Sequence, residues 1–233
     1  MLIEGKNLSI GYKTKVVSSD INFKIDEGDV ICIVGENGAG KSTFLKTVLG
    51  ILKPIKGEII FSPSLNVKRF GYLPQSSESQ NDFPATVKEI VLSGRINAYK
   101  RKLFFNWYDK RIANEKMELL DIYDLKNRAF STLSGGQRQR VLIARAMCAT
   151  DKILFLDEPL TGLDPKITKE FYQIVEQLHE QGITIVMISH ELNESIRLAT
   201  KVLFIGEENY FMSKDEFINS ELGKKFLSFG GRQ

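Results

Sequence analysis

The chain has 233 residues, of which 42% are hydrophobic and 26% are charged, and its formal net charge is +3 at pH 7. This composition is that of a globular protein able to bury one substantial core, with room for a subdomain. The apolar runs fall far short of the ~20 residues that cross a bilayer, and the start lacks the pattern of a secretory signal. We therefore expect a cytoplasmic protein without a membrane anchor, and the small net charge alone does not indicate a nucleic-acid partner.

The first third of the chain alternates short apolar segments with Gly, Asp and Pro signals. Residues 2–10, 16–25 and 57–61 have the patterning of strands in a partly antiparallel sheet. Between them, the β-branched run over residues 29–34 predicts a buried strand, and residues 44–49 predict a helix. The segment that joins this strand to this helix carries the first functional motif.

That joining segment matches the pattern G-x-x-x-x-G-K-[ST], which is typical of a phosphate-binding loop. Glycines let successive backbone N–H groups curl around phosphate oxygens. Lys41 can bring a positive charge to the β- and γ-phosphates, and the Ser42 hydroxyl can bind Mg²⁺. The motif comprises Gly35, Glu36, Asn37, Gly38, Ala39, Gly40, Lys41, Ser42 and Thr43. The alternative, a glycine-rich surface turn, does not account for the strand before the motif or the helix after it.

Helical spacing begins near Thr86 and continues to about Cys148, which predicts an inserted helical subdomain. Strands are then predicted again, at residues 153–156, 183–188 and 201–205. A helix with one apolar face is predicted over residues 167–180. Because strands alternate with helices, we expect a parallel sheet covered on both faces and an α/β fold. A short helix and a glycine-containing tail are expected from Lys214.

Two acidic residues follow the predicted strand over residues 153–156. Asp157 stands at the carboxyl end of that strand, where it can lie beside the phosphate loop and hold Mg²⁺ through its shell of waters. Glu158 can polarise the water that attacks a γ-phosphate. Acids after a strand can also cap the next helix, so both interpretations stay open on these residues alone.

A second anion-binding helix end is predicted at Ser134, Gly135, Gly136 and Gln137, which precede an amphipathic run. Helix N-termini present N–H groups and the positive end of the helix dipole. A single bound nucleotide does not need both this helix end and the one at the phosphate loop, which lie far apart in the sequence. The two motifs together favour a composite site made by two copies of the chain.

These motifs, in this order, resemble the ATP-binding subunit of an ABC transporter, and the resemblance covers almost the whole chain. Residues 35–43 match the family's Walker A loop, residues 133–137 its signature and residues 153–158 its Walker B strand. The resemblance implies ATP and Mg²⁺ as cofactors, ATP hydrolysis as the activity, and Glu158 as a catalytic residue.

Four further positions match family motifs. Tyr12 corresponds to the aromatic residue that stacks on adenine, and Gln75 lies in the Q-loop, where its amide can contact Mg²⁺ or the attacking water. Asp164 matches the D-loop, although an Asp before Pro165 is also a good helix N-cap. His190 matches the switch histidine that contacts the γ-phosphate. All four roles are implied by the resemblance.

The resemblance also implies an architecture and partners. It implies a P-loop NTPase (RecA-like) core over residues 1–85 and 149–213, with a mainly parallel sheet and an N-terminal antiparallel part. The helical subdomain with the signature is expected over residues 86–148, and a short helix and tail over residues 214–233. Two copies would sandwich two ATP molecules, and closure of this dimer would drive a membrane permease on the cytoplasmic side of the membrane.

One segment narrows the resemblance further. Phe83-Pro84-Ala85-Thr86-Val87, followed by Gly94-Arg95, is similar to subunits of zinc and manganese importers. Iron-chelate and other nutrient importers share parts of it, and an exporter subunit stays open. A non-transport ABC protein acting on nucleic acid or ribosomes is disfavoured, because such proteins commonly carry tandem nucleotide domains or a long coiled coil.

The sequence predicts no metal site beyond Mg²⁺ on ATP, with Ser42, Gln75 and Asp157 as its ligands. Cys32 and Cys148 are far apart and lack zinc-ligand spacing, so we expect buried thiols. Metal selectivity would then lie in the permease and in an extracytoplasmic solute-binding protein. The basic and aromatic run over residues 100–107 is interpreted as a loop of the helical region rather than a nucleic-acid contact.

Overall fold

Strands predominate in the first third of the chain and helices in the middle, and strands alternate with helices from Ile153 to Phe204, as the hydrophobic patterning predicts. A computed structural model describes residues 1–13, 15–66, 69–75, 84–96, 104–150, 152–160, 165–189 and 191–230. The chain forms two units. The phosphate-loop unit comprises Met1–Val67 and Val175–Gln233, and the helical unit comprises Lys68–Ile174.

The phosphate-loop unit contains the antiparallel sheet that the N-terminal segments predict. Its strands are β1 (Ile3–Tyr12), β2 (Lys15–Ile25) and β4 (Lys56–Phe61), in the order β2-β1-β4. Ile3 pairs with the last residue of each neighbouring strand, so both pairings are antiparallel. The partly antiparallel start of the chain is confirmed.

Parallel strands in the same unit hold the phosphate loop. β3 (Val30–Val34) is buried throughout and pairs in parallel with β7 (Thr184–Ile188) and β8 (Lys201–Phe204). Because such strands are covered on both faces, each is a short run of β-branched and other apolar residues rather than an alternating one. The helix α1 (Lys41–Val48) follows β3 and begins within the glycine motif.

The end of the chain differs from its predicted form. An antiparallel strand, β9 (Tyr210–Ser213), pairs with β8, and two helices follow instead of one. These two helices are α7 (Lys214–Asn219) and α8 (Glu221–Gly230). A separate helix, α6 (Leu192–Leu198), lies before β8 in the chain. Ser213 and Glu216 form a capping box that starts α7. The two helices pack on a core that includes Cys32 and Val202.

The helical unit carries the remaining elements. Its strands are β5 (Gly71–Leu73) and β6 (Ile153–Asp157), which pair in parallel. Its helices are α2 (Val87–Ser93), α3 (Trp107–Leu119), α4 (Gly135–Ala149) and the first part of α5 (Pro165–Glu180). The helix α5 starts two residues earlier than its periodicity predicts, since proline suits the first helical position. The α/β fold class is confirmed.

A buried ion pair joins three helices of the helical unit. Arg95, just after α2, places its Nε 3.2 Å from Asp109 Oδ1 on α3, and its Nη1 donates to the Cys148 carbonyl on α4 at 2.9 Å. The arginine is 5% exposed and the aspartate 0%.

Both cysteines, Cys32 and Cys148, are buried free thiols, as expected. Burial raises the pKa of each thiol to about 12.

None of the helices in the described residues combines the length and apolar character that a membrane span requires.

Candidate active site

The predicted phosphate loop joins β3 to α1. Its backbone has positive φ at three glycines, with 150° at Gly35, 82° at Gly38 and 106° at Gly40. Residues with a Cβ rarely adopt such values. A side chain at Gly35 would also overlap the carbonyl oxygen of Ile205. The loop therefore has a backbone that depends on the glycines of the motif.

Lys41 is the first residue of α1, and its side chain turns back over the loop. Its Nζ donates hydrogen bonds to the carbonyl oxygens of Gly35 and Glu36, each at 2.9 Å. The residue is only 7% exposed. Burying an ammonium is costly unless it is hydrogen-bonded, so these carbonyls hold the charge within the loop. Phosphate oxygens are stronger partners for an ammonium than neutral carbonyls are.

The antiparallel sheet lies against the start of α1. A Cβ added to Gly40 would lie 2.8 Å from Val17 Cγ1 on β2. Tyr12 ends β1 in the same sheet, and 49% of its surface is exposed. A half-exposed tyrosine offers a flat ring for stacking. The predicted adenine contact and the phosphate loop thus belong to one unit.

Two carboxylates mark the end of β6 in the helical unit. Asp157 is the last residue of the strand and is 2% exposed. Glu158 is half-buried and has a φ of 47°. A non-glycine residue in this left-handed region is uncommon, and such residues cluster at functional sites. The chain thus turns sharply at the residue predicted to polarise the attacking water.

The segment at the end of β5 contacts both acids. The Tyr72 hydroxyl donates to Asp157 Oδ2 at 3.3 Å, and Gln75 Nε2 donates to Glu158 Oε2 at 2.7 Å. Burial, and then the Asp157 charge, raise the pKa of Tyr72 far above its usual range, so its hydroxyl stays a donor. The structure therefore brings together Gln75 and Glu158, which the sequence predicts to share a site. Tyr72 is a neighbour of Asp157 that the sequence reasoning missed.

The signature forms the start of α4. Ser134 is the N-cap, and its side chain accepts from the Gln137 N–H at 3.3 Å while its own N–H donates to Gln137 Oε1 at 3.1 Å. Arg138 Nε donates to the Leu133 carbonyl at 3.0 Å, which fixes the turn before the helix. Gly135 and Gly136 supply the first N–H groups of a 15-residue helix. Since such N–H groups lack intrahelical acceptors, this end can bind an anion.

Two predicted residues, Asp164 and His190, lie outside the described residues. The proposed roles of all the site residues remain predictions.

Comparison with known proteins decides the family. The sequence pattern of the ABC transporter family matches residues 18–161, which is more than half of the chain. This chain belongs to the ABC transporter family. It is an ATP-binding subunit with the ATPase fold of that family, which confirms the resemblance stated from its motifs.

Two bacterial relatives and one solved structure illustrate the similarity. The high-affinity zinc uptake system ATP-binding protein ZnuC of Bacillus subtilis is 36% identical over 207 residues, covering 87% of this chain and 90% of that protein. The manganese transport system ATP-binding protein MntB of the same organism is 36% identical over 196 residues, with coverages of 82% and 77%. A chain of an inward-facing ABC transporter, assigned to the metal-chelate type, is 31% identical with a TM-score of 0.86, covering 97% of this chain and 89% of that one.

Proposed function

We propose that this ABC ATPase energises the import of divalent metal ions, of which zinc and manganese are the candidates. The observation that carries the proposal is the similarity, over most of the chain, to ATP-binding proteins of zinc and manganese uptake systems. The adjacent acids at the end of β6, Asp157 and Glu158, accept hydrogen bonds from Tyr72 and Gln75. They support the hydrolytic role, because adjacent carboxylates can serve a metal and a water.

In the proposed reaction, the loop holds the phosphates of ATP. Lys41 exchanges its loop carbonyls for β- and γ-phosphate oxygens, which are charged acceptors. Asp157 and Ser42 offer hard oxygen atoms, and Gln75 an amide oxygen, which is the ligand chemistry that Mg²⁺ prefers. When bound, Mg²⁺ would supply positive charge to the phosphates during transfer.

Glu158 is the proposed general base. Its carboxylate accepts a hydrogen bond from Gln75, and it must accept a proton from the attacking water instead for hydrolysis to proceed. Gln75 would then change partner, with its amide oxygen turned to Mg²⁺ or to the water. The proposed role of Gln75 is thus to hold the base until nucleotide is in place.

The proposed working unit is a dimer. Each phosphate loop would face Ser134, Gly135, Gly136 and Gln137 of a second copy, whose helix end adds N–H donors to the γ-phosphate. Tyr12 would stack on adenine, Asp164 would lie at the dimer contact and His190 would contact the γ-phosphate. Closure and reopening of this dimer would be transmitted to permease subunits on the cytoplasmic side of the membrane, with a solute-binding protein acting on the other side.

Uptake of radiolabelled zinc and manganese tests the proposal in cells that lack this chain. Re-expressed wild type should restore uptake of one of the two ions, and Lys41→Met should not. Lys46→Met, further along α1 and outside the motif, is the matched control and should restore uptake. Full uptake with Lys41→Met would contradict the energising role.

A second substrate class has a specific observation in its favour. The solved structure with a TM-score of 0.86 is assigned to the metal-chelate type. The same cells should therefore also be given labelled iron chelate. Restoration of chelate uptake alone, with neither zinc nor manganese uptake, would replace the free divalent ion by a chelate as the substrate.

A further inference from the structure

The side chain of Tyr72 faces Asp157 from the neighbouring strand. Tyr72 pairs in register with Phe155 in the parallel β5–β6 ladder. Because side chains alternate along a strand, Asp157 lies on the same face as Phe155, two residues further on. The tyrosine ring reaches diagonally along β6, and its hydroxyl meets Asp157 Oδ2 at 3.3 Å.

Packing around β5 holds this tyrosine in place. Phe70, just before the strand, contacts the Phe155 ring with a centroid distance of 5.2 Å. Gly71 lies so close to α4 that an added Cβ would be 2.7 Å from the Ala146 carbonyl oxygen. The strand therefore has little freedom to move, and the hydroxyl is directed at the carboxylate by a fixed backbone.

A hydrogen bond to one oxygen of a carboxylate helps to fix the orientation of the whole group, including the direction in which its other oxygen points. Residues that hydrogen-bond to metal ligands fix their orientation, and removing them typically lowers metal affinity by about 10–100-fold. Asp157 is 2% exposed, so its rotamer is set by its protein neighbours rather than by bulk water. The Tyr72 hydroxyl, which donates to Oδ2, is one of these neighbours.

We propose that Tyr72 is a positioning residue for the Mg²⁺ of bound ATP. Its hydroxyl orients the Asp157 carboxylate, so that one carboxylate oxygen can contact the hydration shell of the cation without a change of side-chain rotamer. This inference rests on the proposed function, since it takes Asp157 to be the acid that serves Mg²⁺. It adds a residue outside the loop, signature and acid motifs to the machinery.

Tyr72→Phe is the informative variant, because it removes the hydroxyl and keeps the aromatic ring. The readout is binding of a slowly hydrolysed ATP analogue with a fluorescent ribose label, measured with Mg²⁺ and again with EDTA. The ratio of the two affinities isolates the contribution of the cation, and it does not depend on turnover. We expect an unchanged affinity in EDTA and a ratio that falls by about tenfold, the lower end of that range, because Asp157 meets the cation through its hydration shell.

Three other variants make the outcome decisive. Tyr108→Phe removes a hydroxyl from a 40% exposed tyrosine of α3 and should leave the ratio at its wild-type value. Asp157→Asn should reduce the ratio at least as far as Tyr72→Phe does. Tyr72→Met, which also lacks a donor, repeats the test if Tyr72→Phe does not fold.

The possible results separate the inference from the proposed function. If wild type shows no Mg²⁺ effect, or Asp157→Asn leaves that effect intact, the proposed role of Asp157 fails. If Asp157→Asn removes the effect and Tyr72→Phe keeps the wild-type ratio, Asp157 stands and the role of Tyr72 is overturned. Loss of nucleotide binding in EDTA by both Tyr72 variants would assign Tyr72 to folding and would also overturn it.

Discussion

Asp109→Asn should destabilise the protein strongly, although the side chain keeps its shape. Asp109 is fully buried and faces the Arg95 guanidinium at 3.2 Å. Removing one charge of a buried pair typically costs about 3–5 kcal/mol, since the other charge loses its compensation. This is a large part of a total stability of about 5–15 kcal/mol. The asparagine keeps an oxygen that can accept from the Asn106 N–H, so the cap of α3 is largely spared.

Urea unfolding followed by circular dichroism measures the effect. With a typical slope of about 1–3 kcal/mol per molar urea, the midpoint should fall by about 1 M or more. Glu115→Gln on the same helix is the matched control, because its partner Arg111 is 60% exposed and Glu115 itself 54%. Exposed pairs contribute about 0–1 kcal/mol, so this control should barely move the midpoint.

The double variant Arg95→Met/Asp109→Asn sharpens the test. Once Arg95 is replaced, Asp109→Asn leaves no buried positive charge behind, so the double variant should cost less than the sum of the single ones. Strict additivity would refute the charge pairing. A cost for Asp109→Asn as small as that of Glu115→Gln would refute the burial argument itself.

Two further predictions concern the phosphate-loop unit. Gly35→Ala should abolish nucleotide binding and lower the melting temperature, because the added Cβ would overlap the Ile205 carbonyl. A Cβ added at Gly38 would have no atom within 4 Å, so Gly38→Ala should reduce the free energy of unfolding only by the ~1 kcal/mol that a positive φ costs an alanine. Equal losses of stability for the two variants in calorimetry would contradict this. Burial opposes ionisation of Asp26, but hydrogen bonds from Lys201 and the N-terminal ammonium outweigh it and lower its pKa. The stabilisation that ionised Asp26 provides is therefore complete above about pH 4 and is lost as the pH falls through the lowered folded-state pKa. Asp26→Asn should make the unfolding midpoint depend less on pH in the acid range. An unaltered acid dependence would exclude the ion pair as its cause.

Local patterns predict much of the fold and the nucleotide loop. The β3 strand, the glycine motif and the start of α1 are contiguous, so their geometry follows from residues that are neighbours in sequence. The capping box of Ser213 and Glu216 is equally local and marks the start of α7. It was available as a sequence signal for the first of the two C-terminal helices.

Contacts between distant segments account for what the sequence did not predict. β5 spans three residues, Gly71–Leu73, which is too short for a periodicity to stand out. The partner of Tyr72 is 85 positions away, and it becomes apparent only from the register of two parallel strands. The sequence places Arg95 in a family segment, whereas its pairing with the buried Asp109 depends on how α2 and α3 pack.

Single-turnover release of phosphate by purified protein tests the central claim most directly. Wild type and Glu158→Gln are mixed with Mg·ATP, and phosphate and molecular mass are followed together. A general base contributes about 10²–10⁴-fold to the rate, so Glu158→Gln should bind ATP, release phosphate at least about 100-fold more slowly and accumulate as a dimer by light scattering. Phosphate release by Glu158→Gln at the wild-type rate would contradict the assignment of the acid pair, and with it the mechanism proposed for this ABC ATPase.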